Sequence, residues 1–168
     1  GLARIDQRAP AALKHLIAIY QAERDWEKAI ENATRYEEVT SEPMGKLIAQ
    51  FQCELAERHR AAGRLDQARE AIARANQADA MSVRAGIIEG RLESDFGNDE
   101  AAVRAFERAA RNDPDYLPEI LPQLMKNYRA VGDIAGARAF LAEMTEHYRG
   151  IAPVLALTQL MEAQEGVG

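Results

Sequence analysis

The sequence predicts an all-α protein, a right-handed superhelix of about four helix-turn-helix repeats. Three observations predict it. A Gly-x-x-x-x-Ala phrase returns three times, as Gly63-Arg-Leu-Asp-Gln-Ala68, Gly97-Asn-Asp-Glu-Ala-Ala102 and Gly132-Asp-Ile-Ala-Gly-Ala137. The first two glycines stand 34 residues apart and the second and third 35. The composition favours helix, because alanine, arginine, glutamate and leucine dominate and only 6% of residues are aromatic. No segment carries a strand signal.

The spacing is that of the tetratricopeptide repeat. Its pattern asks for small residues at positions 8, 20 and 27, where two helix backbones approach, and for large ones at 4, 7, 11 and 24, which fill the gaps left between them. In chain order, a first repeat at 10–48 supplies Leu16, Tyr20 and Ala29, with a glycine-free turn at Glu23-Arg24-Asp25-Trp26. A second at 49–82 supplies Leu55, Ala56, Gly63, Ala68, Ile72 and Ala75. The third, at 83–117, fits best, with Gly90, Gly97, Ala102, Phe106, Ala109 and Pro114 in place. A fourth at 118–150 supplies Leu124, Tyr128, Gly132, Ala137 and Leu141.

Expected helices lie near 11–22, 26–38, 44–62, 65–78, 82–96, 99–111, 116–131 and 134–148. A ninth, at 151–164, caps the array by covering its last apolar face. The chain reads as a piece of a longer protein, with Gly1–Arg8 the tail of a preceding repeat. Two places strain the pattern. Ala29 and Ala68 are 39 residues apart, and the surplus falls either in a loop at Val39–Gly45 or in a lengthened helix. Pro122 sits inside the seventh helix, so that helix starts near Glu119 or is kinked.

Composition also excludes functions. The 168 residues carry a formal charge of −6, which argues against nonspecific binding to nucleic acid or to an anionic membrane surface. A single cysteine, Cys53, can form neither a disulfide framework nor a zinc pair. No run approaches the 18 uncharged apolar residues of a membrane-spanning helix, and no signal peptide is present.

The residues argue against an enzyme. His15, His59 and His147 fall in different repeats, and none has a second ligand at i+3 or i+4. His59 occupies the aromatic position of its repeat, which suits packing. Cys53 and His59 are six residues apart on one helix, so they point to different sides and make no nucleophile pair. Carboxylates such as Glu54 and Glu57 belong to a solvated helix face with arginines three or four residues away. The segment calls for no cofactor and no metal.

What remains is a binding surface. In this architecture, positions 2, 5, 9 and 12 of each first helix line the concave groove. They give Lys14 and Gln21; then Gln50, Cys53, Glu57 and Arg60; then Arg84, Ile87, Arg91 and Ser94; then Glu119, Lys126 and Arg129. The arginines read in two ways. They are ordinary surface side chains paired with acids, or they form a basic strip suited to an acidic or C-terminal-carboxylate peptide. A homodimer is a further expectation, through Leu155, Leu157 and Leu160 of the last helix.

The phrases Ala12-Leu-Lys-His-Leu-Ile-Ala-Ile-Tyr20-Gln, Asp25-Trp-Glu-Lys-Ala-Ile30, Phe51-Gln-Cys-Glu-Leu-Ala56 and Leu65-Asp-Gln-Ala68 resemble the lipopolysaccharide assembly protein B family. The likeness runs from about Ala11 to Arg149, in one order and with the same lengthened first-to-second spacing. It implies a bacterial inner-membrane adaptor with an N-terminal anchor, cytoplasmic repeats and a C-terminal rubredoxin-like domain whose four cysteines bind zinc. It also implies partners: the lipid A deacetylase, whose degradation the family promotes, and a membrane-bound AAA+ protease or another inner-membrane regulator. Neither the anchor nor the zinc cysteines are in this sequence, and Cys53 is not one of those ligands.

Overall fold

The computed structural model describes the backbone of residues 2–147 and Gln159, with side chains from residue 9 onward in that set. Apart from Gln159, the helix expected at 151–164 lies outside the described residues. Among the described residues the chain is wholly helical. Its elements are α1 (Leu2–Glu23), α2 (Trp26–Thr40), α3 (Gly45–Ala61), α4 (Leu65–Ala78), α5 (Val83–Asp95), α6 (Asp99–Asn112), a 3-10 turn at Pro114–Tyr116, α7 (Leu117–Val131) and α8 (Ile134–His147). They form two compact units, Gly1–Ala85 and Gly86–Gly168.

Local chemistry explains the boundaries. Gly63, Gly97 and Gly132 take φ of +75°, +80° and +77° in the turns after α3, α5 and α7. A side chain there would meet nothing within 4 Å, so these glycines serve the left-handed backbone and not the packing. Arg24 occupies the equivalent turn after α1 at φ 58°, and its carbonyl accepts a hydrogen bond from Arg58. Side-chain caps start the following helices. Asp25 accepts from the Lys28 N–H at 3.3 Å, Ser82 from the Ala85 N–H at 3.2 Å and Asp133 from the Gly136 N–H at 2.8 Å.

The alanine and glycine positions are the packing seams. Ala29, Ala56, Ala68, Ala75, Ala102, Ala109 and Ala137 have no exposed surface. In the first unit, Leu13 and Ile17 of α1 are buried with Ala29 and Ala33 of α2, and Trp26 stacks toward Phe51 of α3 at 5.8 Å between ring centroids. In the second unit, Gly90 of α5 lies directly against the Phe106 ring of α6. Leu117, Ile120, Leu124 and Tyr128 of α7 join that core, as do Phe140, Leu141 and Met144 of α8.

The structure departs from the sequence expectations at the starts of two helices and decides between two of them at a third place. α1 begins at Leu2, well before residue 11, and carries Pro10 inside it. A proline deletes one N–H bond, here to the Asp6 carbonyl, and the arginines, glutamine and alanines around it are strong helix formers with no glycine among them. The surplus between Ala29 and Ala68 is helical. The linker at 41–44 is four residues long, as are those at 79–82 and 113–116. α3 has 17 residues against 13 in α5, and α2 has 15 against 14 in α4. Nothing between Lys46 and Ala61 breaks a helix, so the added residues extend it. Finally, α7 starts at Leu117 and takes in Pro122, which is exposed, so the freed Pro118 carbonyl is left to water.

Candidate protein-interaction surface

The first-helix stripe is composed differently from a simple basic strip. Lys14 of α1 is exposed, with its ammonium 5.4 Å from the centre of the Tyr36 ring. Tyr36 beside it, and then Glu42, raise the Lys14 pKa. Gln21 and Gln50 are exposed and Cys53 is buried. Glu57 and Arg60 pair with each other at 3.7 Å. Arg84 pairs with Glu54 of α3 at 2.8 Å, and Arg91 with Glu119 of α7 at 3.5 Å. All of these pairs are substantially solvated, and such pairs contribute about 0–1 kcal/mol each. Their effect is to neutralise Arg60, Arg84 and Arg91 in place. Lys126 and Arg129 of α7 are exposed and have no carboxylate partner among the described residues.

Ile87 is a correction. It was expected on the groove, but it is only 6% exposed and belongs to the core. Residues 85–88 of α5 are all buried, with Gly86 close against Ala109 of α6, so no apolar side chain there is left for a partner.

Sequence reading missed the polar seam between α5 and α7. Asn127, 1% exposed, donates its amide N–H groups to Ser94 Oγ at 2.9 Å and to Asp99 Oδ1 at 2.8 Å. Its carbonyl accepts from Gln123 Nε2 at 3.2 Å. Gln123 also reaches Ser94, at 3.3 Å. A signal was available: Ser94 and Asn127 are 33 residues apart, Arg91 and Glu119 28, and Arg84 and Glu54 30. Side chains about one repeat apart meet across neighbouring first helices.

The other chemistry-bearing residues do not converge. Burial pushes the Cys53 thiol up to about 11, against the opposing pull of Arg84 and Ser82. A neutral buried thiol is neither nucleophile nor ready metal ligand. Labelling of Cys53 with a maleimide at pH 8 is therefore expected to be far slower in the native chain than in denaturant. The sign of the linkage follows from the raised folded value. The contribution to stability is complete below the unfolded pKa near 9 and is lost as pH rises toward 11. Cys53→Ser, melted over the same pH range, would lack that loss, and equal native and denatured labelling rates would contradict the burial argument.

His59 is half-buried and accepts a hydrogen bond at Nδ1 from Arg64 Nε at 3.0 Å, rather than filling the core as an aromatic. His15 and His147 are exposed. No cluster of three His, Cys, Asp or Glu residues among those described could hold a metal. An open groove of about 600 Å³ lies between the start of α6 and the end of α7, lined by Asn98, Asp99, Glu100, Arg104 and Val131. Asp99 is already engaged there by Asn127. No helix among the described residues is long and apolar enough to cross a membrane.

Comparison with known proteins decides the family. No protein-family model matches the chain. Lipopolysaccharide assembly protein B of Escherichia coli strain K12 is 34% identical over 155 residues, which is 92% of this chain. The chain belongs to the lipopolysaccharide assembly protein B family. The protein of that name from Haemophilus influenzae is 26% identical over 158 residues, or 94% of the chain. The chain spans 40% of the length of both relatives. Among solved structures, MamA superposes with a TM-score of 0.55 at 16% identity, over 95% of this chain and 84% of that one. Naa15/Naa10 bound to HypK-THB gives 0.57 at 16% identity, over 93% and 23%. At such identities the likeness is one of fold, and it is the all-helical fold that the residue spacing predicts.

Proposed function

We propose that this chain is a non-enzymatic protein-binding module of an adaptor that limits lipopolysaccharide synthesis. In this reading it holds the lipid A deacetylase near a membrane-bound AAA+ protease at the cytoplasmic face of the bacterial inner membrane. The mechanism is positioning, in which a rigid surface raises the concentration of one protein around another without any new chemistry. The observation that carries the reading is the 34% identity to the E. coli protein along nearly the whole chain. The exposed polar faces of the first helices support it, because they offer side chains for recognition and bring no acid, base and nucleophile together.

The test is binding of the purified chain to the deacetylase and, separately, to the protease. We expect at least one to bind. The paired substitution Arg84→Glu with Arg91→Glu is expected to weaken that complex about tenfold, the effect of roughly 1.4 kcal/mol. Both positions are solvated, so the circular dichroism spectrum should be unchanged. Binding of neither protein by the folded chain would refute the adaptor reading for this segment.

A further inference from the structure

We infer that the exposed stripe of α7, Glu119–Pro122–Lys126–Arg129, docks an acidic segment of the partner in extended conformation. This rests on the adaptor reading and specifies the partner's chemistry. The argument begins with a charge inventory. Along the first-helix stripe, Arg60, Arg84 and Arg91 each face a carboxylate of this chain within 4 Å, at Glu57, Glu54 and Glu119. Lys14 is engaged by Tyr36 and Glu42. Lys126 and Arg129 alone on that stripe have no counter-charge among the described residues. The nearest acid in sequence, Asp133, keeps its charge but lies past the end of α7, turned to the Gly136 N–H of α8 at 2.8 Å.

The stripe therefore carries a local positive excess on a chain whose total charge is −6. Lys126 and Arg129 stand against Glu119, so its own balance is +1, and Arg91 of α5, paired with Glu119, brings the site to +2. An acidic partner is repelled by most of this protein and attracted here, which is how charge selects a docking site.

Geometry narrows the ligand. Residues three or four apart on a helix face stand about 5–6 Å apart. Alternate residues of an extended strand are about 6.5–7 Å apart on one side. Carboxylates at every second position of an extended segment thus fall in step with Lys126 and Arg129. From Glu119 to Arg129 the helix rises about 15 Å, room for four or five extended residues. At the Glu119 end the incoming acid competes for Arg91, whose pair at 3.5 Å is long and solvated. Ser94 and Gln123 flank the path with uncharged polar groups.

The experiment uses the full 168-residue chain and a fluorescein-labelled eight-residue peptide alternating Glu and Ala, with a Lys-Ala peptide as control, followed by fluorescence anisotropy at low and high salt. The acidic peptide is expected to bind, the lysine peptide not to, and added salt to weaken the complex. Lys126→Glu with Arg129→Glu is expected to reduce binding at least tenfold, whereas Arg104→Glu, a reversal at an exposed position on α6, leaves it within about twofold. Equal binding of the two peptides, binding of neither, or binding indifferent to the α7 pair overturns the inference. The two readings fail separately. A chain that binds the deacetylase or protease unchanged with both α7 substitutions in place remains an adaptor, without an acidic ligand on α7.

Discussion

Gly90→Ala is expected to destabilise the chain by about 1–3 kcal/mol and to lower its melting temperature by about 3–9 °C. The reason is a single contact. A Cβ built on Gly90 would stand 2.5 Å from Cε1 of Phe106 and 2.6 Å from Cζ, well inside van der Waals contact. Phe106 is itself 1% exposed, so its ring has no open space to enter. α5 and α6 must separate, or the ring must leave its rotamer. The measurement is thermal or urea denaturation, and the decisive variant is Gly90→Ala combined with Phe106→Leu. A smaller partner makes room for the new methyl group, so the pair should cost clearly less than the sum of the two single changes. Strict additivity would mean that the Gly90–Phe106 contact does not set the helix spacing.

Asn127→Leu is expected to cost about 1–3 kcal/mol, the range for leaving buried hydrogen-bond partners unsatisfied. Leucine keeps the branching but is bulkier, and it returns nothing to Ser94 Oγ, Asp99 Oδ1 or Gln123 Nε2. Asn127→Asp separates packing from hydrogen bonding. It keeps the shape and sets a carboxylate against Asp99, so it should be at least as damaging at pH 7. Its stability relative to the parent should recover as pH falls and the pair takes up a proton, because a like charge raises the folded-state pKa. A variant equally stable at pH 5 and pH 7 would show that Asp99 does not face residue 127.

These two sites also show how far the residues disclose the fold. Gly90 and the buried alanines were legible because repeat packing demands small side chains at fixed intervals, and a missing side chain leaves a mark in sequence. The turn glycines were legible for a separate reason, their positive φ. Asn127 was not, since a buried amide looks like any surface asparagine until its partners on two other helices are known. Ile87 misled for the converse reason. A position rule assigns it to the groove, whereas the packing around residues 85–88 of α5 decides its burial. The surface arginines were legible as residue types but not as charges, because Glu54 and Glu119 lie about 30 positions away. The extra residues before Ala68 were countable, but counting could not choose between loop and helix, since Thr40-Ser41-Glu42-Pro43 has the composition of a long loop and spans only a short one.

The extended α3 bears on engineering. Four residues more than α5 amount to about 6 Å of additional helix, slightly more than one turn. The added turn is the first one, residues 45–48, because Ala61 and Asp95, where α3 and α5 end, are 34 residues apart, and in it Gly45 approaches the Ala78 carbonyl of α4 too closely for a side chain. Module-swapping schemes treat such arrays as interchangeable bricks cut at a constant length. Here a brick with a 13-residue first helix, substituted for α3 and α4, would arrive without that first turn and its approach to the end of α4. Chimeras of this family should therefore exchange the first two hairpins together, since Arg58 of the second also donates to the Arg24 carbonyl of the first, and the third with the fourth, which the Asn127 network joins.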